Sequence, residues 1–147
     1  MNVRHINDEI GPASGVKMCF AAIHKGFTAL ATQSLTTAHN LGIMAELQDY
    51  LKESPLGAHL NGNIPSMPPK AYRWVREMDE IADCFEVDGG FSREESIFRP
   101  ISKEYELIAN GTELGKEQTD NRQRGKTSED VAALLSAGIE KRKVKVE

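Results

Sequence analysis

The feature that most constrains the fold is an apolar helical pattern that runs without a break from Ala13 to Leu41. Its large side chains recur at three- and four-residue steps, which places them on one helix face. At 1.5 Å per residue the helix would be roughly 43 Å long, well beyond the usual ~11–12 residues. A helix of this length is predicted to lie at the centre of a domain, as a central post with other helices packed around it. The stripe predicted to face the core is Val16, Phe20, Ile23, Phe27, Leu30, Ser34, Ala38 and Leu41.

The rest of the chain also shows helical signals, and strand signals are nearly absent, so the predicted fold class is all-α with a long central helix wrapped by shorter ones. Small residues on the other faces of the long helix would let those neighbours approach closely. Gly42 is predicted to end the first helix. Further helices are predicted over 43–53 and from Pro68 onward, with a loop over 54–68 between them. Another helix is predicted over 93–109, where Pro100 either kinks the helix or starts its main part. The last predicted helix runs from Thr127 to Ala137, and Gly138 ends it.

These elements suggest four segments. Residues 1–12 are predicted to be an interdomain lead-in, and 13–110 a helical substrate and dimerisation domain. Residues 111–126 are polar and poor in apolar side chains, which favours a mobile linker. Residues 127–147 are predicted to form a short C-terminal helix followed by a basic tail.

Composition excludes several classes of partner. A net charge of −4 with 27% charged residues describes an ordinary soluble surface and argues against a nucleic-acid binder. The longest apolar segment is interrupted by Lys17, His24 and Lys25, so it does not predict a membrane span. Cys19 and Cys84 are widely spaced and are predicted to be buried free thiols in a reducing compartment. We therefore expect a cytoplasmic protein with no membrane or nucleic-acid partner.

Several common motifs are missing from the sequence. There is no strand, Gly-x-Gly-x-x-Gly turn and helix of the dinucleotide-binding type, so the chain alone is predicted to bind no NAD(P). The four histidines are scattered and form no ligand pair on one helix face, so no metal site is predicted. No serine or cysteine lies in a known nucleophile motif.

Lys17 is the residue that a packing argument does not explain, because an ammonium near the start of an apolar helix costs free energy unless it is paired or faces a polar cleft. His24 follows seven residues later, about 20° around the helix axis, with Ala21 between them. One slot with two proton-donating groups would suit an anionic substrate. The alternatives are that Lys17 extends to water and that His24 packs in the core.

The amino-acid sequences of three segments support a functional role for Lys17 and His24. Residues 11–26 contain a Gly-x-Ala-Ser-x-x-Lys-Met-Cys sequence, and 72–82 and 97–99 follow in order. Together these segments resemble the C-terminal domain of the 6-phosphogluconate dehydrogenase and 3-hydroxyisobutyrate dehydrogenase superfamily. They most resemble a branch described as a phosphogluconate dehydrogenase C-terminal domain.

The resemblance implies an all-helical domain that forms a homodimer and one wall of a substrate cleft, next to a dinucleotide-binding domain that carries NAD(P). Lys17 matches the catalytic lysine, which assists proton transfer at the substrate hydroxyl, and His24 falls where the second acid would lie. Ser14 and Gly15 match the turn that contacts the substrate. Lys25 and Arg73 are candidates for binding a carboxylate or phosphate, with surface solvation as the alternative for each.

The sequence departs from the superfamily pattern at two further positions. Ala21 stands where the superfamily has asparagine, and Phe20 stands where the 6-phosphogluconate enzymes have histidine. These changes argue against 6-phosphogluconate itself and leave a small anionic hydroxyacid as the expected substrate.

Two functions follow. The first is the substrate-side domain of an NAD(P)-dependent 3-hydroxyacid-type dehydrogenase that lacks its nucleotide-binding (Rossmann) domain and is inactive alone. The second is a non-catalytic orphan helical dimerisation module, favoured by the missing nucleotide motif.

Overall fold

The computed structural model describes residues 11–144, and over this range the fold is all-α, as predicted. Most of the predicted lead-in, residues 1–10, and the last three residues of the basic tail lie outside the described range. Two short 3-10 helices, Pro68–Lys70 and Glu113–Lys116, lie between the α-helices. The six α-helices of the described range are α1 (Pro12–Leu41), α2 (Met44–Lys52), α3 (Pro55–Ser66), α4 (Ala71–Val87), α5 (Phe98–Gly111) and α6 (Ser128–Val144).

The long helix α1 has the bounds that its sequence predicts, and it contacts each of the other five α-helices. Pro12 occupies its first position, where the missing N–H of proline costs nothing. Gly42 ends it in the left-handed conformation at φ 72°, and its N–H donates to the carbonyl of His39 at 3.1 Å. The prediction of a central helical post ended by Gly42 is therefore confirmed.

We expect Gly42→Ala to destabilise the protein by roughly 1–2 kcal/mol, because a Cβ disfavours the left-handed conformation. Gly62 is the matched control: it lies inside α3 and an added Cβ would meet no atom within 4 Å. Gly62→Ala should stabilise by roughly 0.5–1 kcal/mol. Urea unfolding of both variants measures the difference, and equal effects of the same sign would contradict the role assigned to Gly42.

The predicted orientation of α1 is wrong. Phe20, Ile23 and Leu30 from the predicted core stripe are 70%, 74% and 65% exposed. Small residues and one leucine fill the core instead, because only short side chains allow α1 to lie close to its many neighbours. The buried face of α1 is Ala22, Thr28, Ala29, Ala31, Thr32, Leu35, Thr36 and Ala38.

Three buried threonines on α1 form a ladder along its own backbone. Thr28 donates to the carbonyl of His24 at 2.9 Å, Thr32 to that of Thr28 at 2.8 Å, and Thr36 to that of Thr32 at 2.8 Å. Each hydroxyl is thus satisfied four residues back along the same helix. The face buries polar side chains without requiring a donor or acceptor from another element.

The loop predicted over 54–68 is wrong, since most of it forms α3. The Ser54 side chain caps this helix by accepting from the Leu56 N–H at 3.2 Å. Leu60 and Ile64 then bury their side chains in the core. Tertiary packing therefore overrides the weak helix propensity of the glycines and asparagines in this stretch.

Two helix bounds near the C-terminal half also differ from prediction. The helix predicted from Arg93 begins at Phe98, so Pro100 lies in its first turn and starts the helix instead of kinking it. The last helix does not end at Gly138 but continues to Val144. Gly138 is buried, and a Cβ there would lie 2.6 Å from Cγ2 of Thr112, so this glycine serves close packing and is not a cap.

The core continues through the polar stretch 111–126 into α6. Leu114 is fully buried, and Val131 and Leu135 on α6 join the same apolar cluster as α1 and α4. The Glu117 carboxylate accepts from the backbone N–H groups of Gln123 and Arg124 at 2.5 Å and 3.1 Å. Residues 111–126 therefore pack on the helices at both ends of the stretch.

At the centre of the core, Trp74 on α4 meets Tyr105 on α5 edge to face, with ring centroids 5.2 Å apart. The Tyr105 hydroxyl donates to the carbonyl of Lys25 at 2.6 Å, which connects α5 to α1. Within residues 11–144, no helix combines the length and the apolar content that crossing a lipid bilayer requires.

Candidate functional site

The first half of α1 carries the residues that the sequence singled out for chemistry. Because α1 is continuous from Pro12 to Leu41, Lys17 and His24 lie about 20° apart around its axis and about 10 Å apart along it. Lys17 is exposed and His24 is half-buried. The two side chains therefore share one face of α1.

His24 lies in an aromatic cluster that the sequence did not reveal. The Phe20 ring stacks on it with centroids 6.2 Å apart, and the His59 ring meets it at 5.6 Å and an angle of 81°. His59 comes from α3 and its Nε2 lies 2.6 Å from Nδ2 of Asn63. The four-residue spacing of His59 and Asn63 places both side chains on one face if this stretch is helical. Because the stretch was predicted as a loop, this relation was not recognised.

Lys25 is held by two neighbours on α4. Its ammonium pairs with the Glu77 carboxylate and lies 5.3 Å from the ring centroid of Trp74, within cation–π range. Its side chain is 15% exposed, so the surface-solvation alternative is wrong for Lys25. Burial lowers the pKa of Lys25, and the positive charges of Arg73 and Lys17 lower this pKa further.

The same pKa shift shows that Lys17 and Arg73 each lie within electrostatic reach of Lys25. Glu77 compensates the charge of Lys25, while Arg73 is exposed on α4. Lys17 and Arg73 are both exposed and add positive charge around Lys25, which is the sign that attracts a small anion.

The predicted substrate turn faces a different space. Ser14 and Gly15 line a cavity of about 650 Å³ between the start of α1 and the end of α4, which Cys19 and Cys84 also line. The prediction that both thiols are buried is wrong: both are free, but Cys19 is exposed and Cys84 is partly exposed. Burial raises the pKa of the Cys84 thiol, and its hydrogen bond to the Asp88 carboxylate at 3.4 Å raises it further. A thiol in this state is a poor nucleophile.

The six predicted site residues thus fall into two groups. The first group joins Lys17 and His24, which share a face of α1, with Lys25 and Arg73, and Lys17 and Arg73 each act electrostatically on Lys25. The second group, Ser14 and Gly15, borders the cavity at the beginning of α1. The first group supplies positive charge, which can bind an anion, and an exchangeable proton, which can take part in proton transfer. Glu77 and His59, which position Lys25 and His24, were missed because nothing in their local sequence links them to α1.

Neither a metal centre nor a dinucleotide site can be built from the residues that the structure describes. Between residues 11 and 144, no three histidine, cysteine or acidic side chains are grouped as ligands for an ion. The same range contains no strand leading into a glycine-rich turn, which is the usual framework for NAD(P).

Comparison with known proteins gives one match. A family model described as a domain of unknown function, DUF1932, matches residues 38–108. No curated protein and no solved structure matches the chain. The matched range covers the end of α1, the helices α2 to α4 and most of α5. It begins after Lys17 and His24, so the match does not include these two residues. This family is the C-terminal domain of 6-phosphogluconate and 3-hydroxyisobutyrate dehydrogenase-like proteins, and residues 38–108 are similar to it.

Proposed function

We propose that this domain forms the substrate-side wall of an NAD(P)-dependent 3-hydroxyacid-type dehydrogenase whose nucleotide-binding domain is a separate unit. The observation that carries the proposal is the shared face of Lys17 and His24 on α1, with Lys17 and Arg73 each within electrostatic reach of Lys25. The family of residues 38–108, a C-terminal domain of dehydrogenase-like proteins, supports it. Two free thiols suit a cytoplasmic location, which is part of the proposal.

In this proposal the described residues bind the substrate and handle its proton. Lys17, exposed at the beginning of α1, exchanges the proton of the substrate hydroxyl. Arg73 attracts the carboxylate or phosphate, and Lys25 adds to the field although Glu77 already pairs with it. His24 lies too far along α1 to share one proton with Lys17, so it acts on a second group of the substrate. NAD(P), when held by the other domain, supplies the hydride acceptor.

The direct test is calorimetric titration of the 147-residue chain with NADH and NADPH, together with its solution mass on the same sample. We expect neither nucleotide to bind, because the described residues form no dinucleotide site. Stoichiometric binding of either one would contradict the assignment of the nucleotide to a separate domain.

The alternative function is a non-catalytic dimerisation module, and one observation favours it. The outer stripe of α1, comprising Val16, Phe20, Ile23, Leu30 and Leu41, is 58%, 70%, 74%, 65% and 66% exposed. A contiguous apolar face of this kind suggests coverage by a second copy or by the nucleotide-binding domain. A dimeric mass that Phe20→Glu converts to a monomer would support the second copy, and a monomeric mass for the unmodified chain would oppose it.

A further inference from the structure

A second cavity lies between α1 and α5, away from Lys17. Its volume is about 560 Å³, within the usual range for small-molecule sites. Leu30 on its rim lies 13 residues from Lys17, about 140° around the α1 axis. This groove is therefore distinct from the face that carries the proposed chemistry. Its walls are mainly apolar and include Ile23, Phe27, Leu30, Phe98 and Ile101.

The groove has one acidic group, and that group is buried. Glu104 on α5 is 7% exposed, and its Oε2 accepts a hydrogen bond from Nε2 of Gln33 on α1 at 2.7 Å. Its Oε1 is buried with no partner among the described residues. Burial raises the pKa of Glu104 to about 7, against the opposing effect of the Gln33 hydrogen bond. A buried carboxyl oxygen without a donor is costly and uncommon.

The surrounding charges do not relieve Glu104. On α5, Lys103 pairs with Glu106 at 2.8 Å, and Tyr105 donates to the backbone of Lys25. Asp79 on α4 raises the pKa of Lys103 slightly further, and Lys103 lines the adjoining pocket with Glu104 while its ammonium stays paired with Glu106. Arg142 on α6 lines the adjoining pocket with Glu104, and no ion pair or hydrogen bond joins the two within the described residues. Oε1 of Glu104 therefore has no donor among the described residues, and a bound ligand could supply one.

We propose that this groove binds a protonated alkyl amine, with the ammonium on Oε1 of Glu104 and the apolar body along Ile23, Phe27 and Phe98. An ammonium supplies both the hydrogen-bond donor and the positive charge that a buried carboxylate lacks. A neutral alcohol supplies only the donor, and a carboxylate is repelled. The apolar walls favour a hydrocarbon body over a polar one.

The test is calorimetric titration of the full chain with octylamine, octanol and octanoate at about pH 8, where an alkyl amine is still protonated. We expect octylamine to bind at least about tenfold more tightly than octanol, as a charge-assisted hydrogen bond requires, and octanoate not to bind. Glu104→Gln should abolish the preference for the amine. Glu106→Gln, on the same helix but paired with Lys103, is the matched control and should retain it.

A second pair of variants tests the groove itself without altering Glu104. A Cβ at Gly26 would meet Ile101 and Phe98 at 3.7 Å, which is ordinary contact, so Gly26→Ala should still bind octylamine. Gly26→Leu should fill the groove and weaken binding by about tenfold or more. Circular dichroism of both variants shows whether the fold is retained.

The pH dependence gives an independent readout. The amine needs the ionised carboxylate, so its affinity should be constant above about pH 7 and fall about tenfold per unit below it, until the pKa of Glu104 in the complex is reached. Equal affinities for octylamine and octanol, an affinity independent of pH, or full retention in Glu104→Gln would overturn the proposal. So would the absence of amine binding at every protein concentration, which is the result expected if a second copy fills the groove.

Discussion

Replacing Lys17 by alanine is expected to lower turnover by about 100- to 10,000-fold once a nucleotide-binding domain has been supplied by fusion, because the proton of the substrate hydroxyl then has no partner. The fold should survive the change. Lys17 is exposed, so the free energy of unfolding should change by no more than about 0.5 kcal/mol. The measurement is the rate of NAD(P) reduction with 3-hydroxyacids, alongside urea unfolding of both proteins.

Two further variants separate proton transfer from charge. Lys17→Arg keeps the positive charge but cannot release a proton at ordinary pH, so it should retain substrate binding and lose turnover. Lys52→Ala removes an exposed lysine of α2 that pairs with Asp49, and it should leave turnover unchanged. If Lys17→Ala turned over at a near-normal rate, Lys17 would not be the proton-transfer group.

The second large effect is on stability. Trp74→Ala should lower the free energy of unfolding by about 3–5 kcal/mol, because it removes a large buried ring and leaves a cavity against Tyr105. The same ring lies beside the ammonium of Lys25, so the variant also frees that side chain from its cation–π contact. Thermal and urea unfolding measure the loss.

Tyr72 provides the matched control for Trp74. It lies two residues earlier on α4 and is 70% exposed, so Tyr72→Ala should cost no more than about 0.5 kcal/mol. Trp74→Phe should fall between the two, since it keeps an aromatic edge against Tyr105 but fills less of the space. A Trp74→Ala protein as stable as Tyr72→Ala would show that the centre of the core lies elsewhere.

The sequence predicted the extent of α1 better than its orientation, for a physical reason. Helix length depends on local signals, namely periodicity, Pro12 and Gly42, and these agree with the structure. Orientation depends on what surrounds the helix. A stripe of large residues such as Phe20 and Ile23 is more apolar than one of alanines, but a helix in contact with five others buries the face that permits the closest approach.

Glycine explains two of the wrong predictions, the loop predicted in place of α3 and the end predicted for α6. In α3, an added Cβ at Gly57 would lie 2.2 Å from the Leu51 carbonyl oxygen, so this glycine permits a close approach of α3 to the end of α2. Gly138 does the same for α6 against Thr112. A single sequence does not distinguish a glycine that ends a helix from one that lets a helix approach another chain segment.

The candidate site was predictable only as far as it is local. Lys17 and His24 share a face by helix geometry alone, and that relation follows from their spacing. The partnership of Lys25 with Glu77 and the approach of His59 to His24 depend on how α3 and α4 pack on α1. The unpartnered oxygen of Glu104 likewise depends on the packing of α5 against α1.

The threonine ladder of α1 has a consequence for how this interior can change over evolution. Because the hydroxyls of Thr28, Thr32 and Thr36 each donate to a carbonyl of their own helix, these residues need no hydrogen-bond partner from the helix that lies opposite. An exchange to serine or alanine leaves no orphaned group on another element, since each carbonyl that loses the hydroxyl still has its helical N–H. Where these threonines face another helix, the contact therefore depends on side-chain size, so change in the residues opposite them is limited by volume and not by hydrogen-bond pairing.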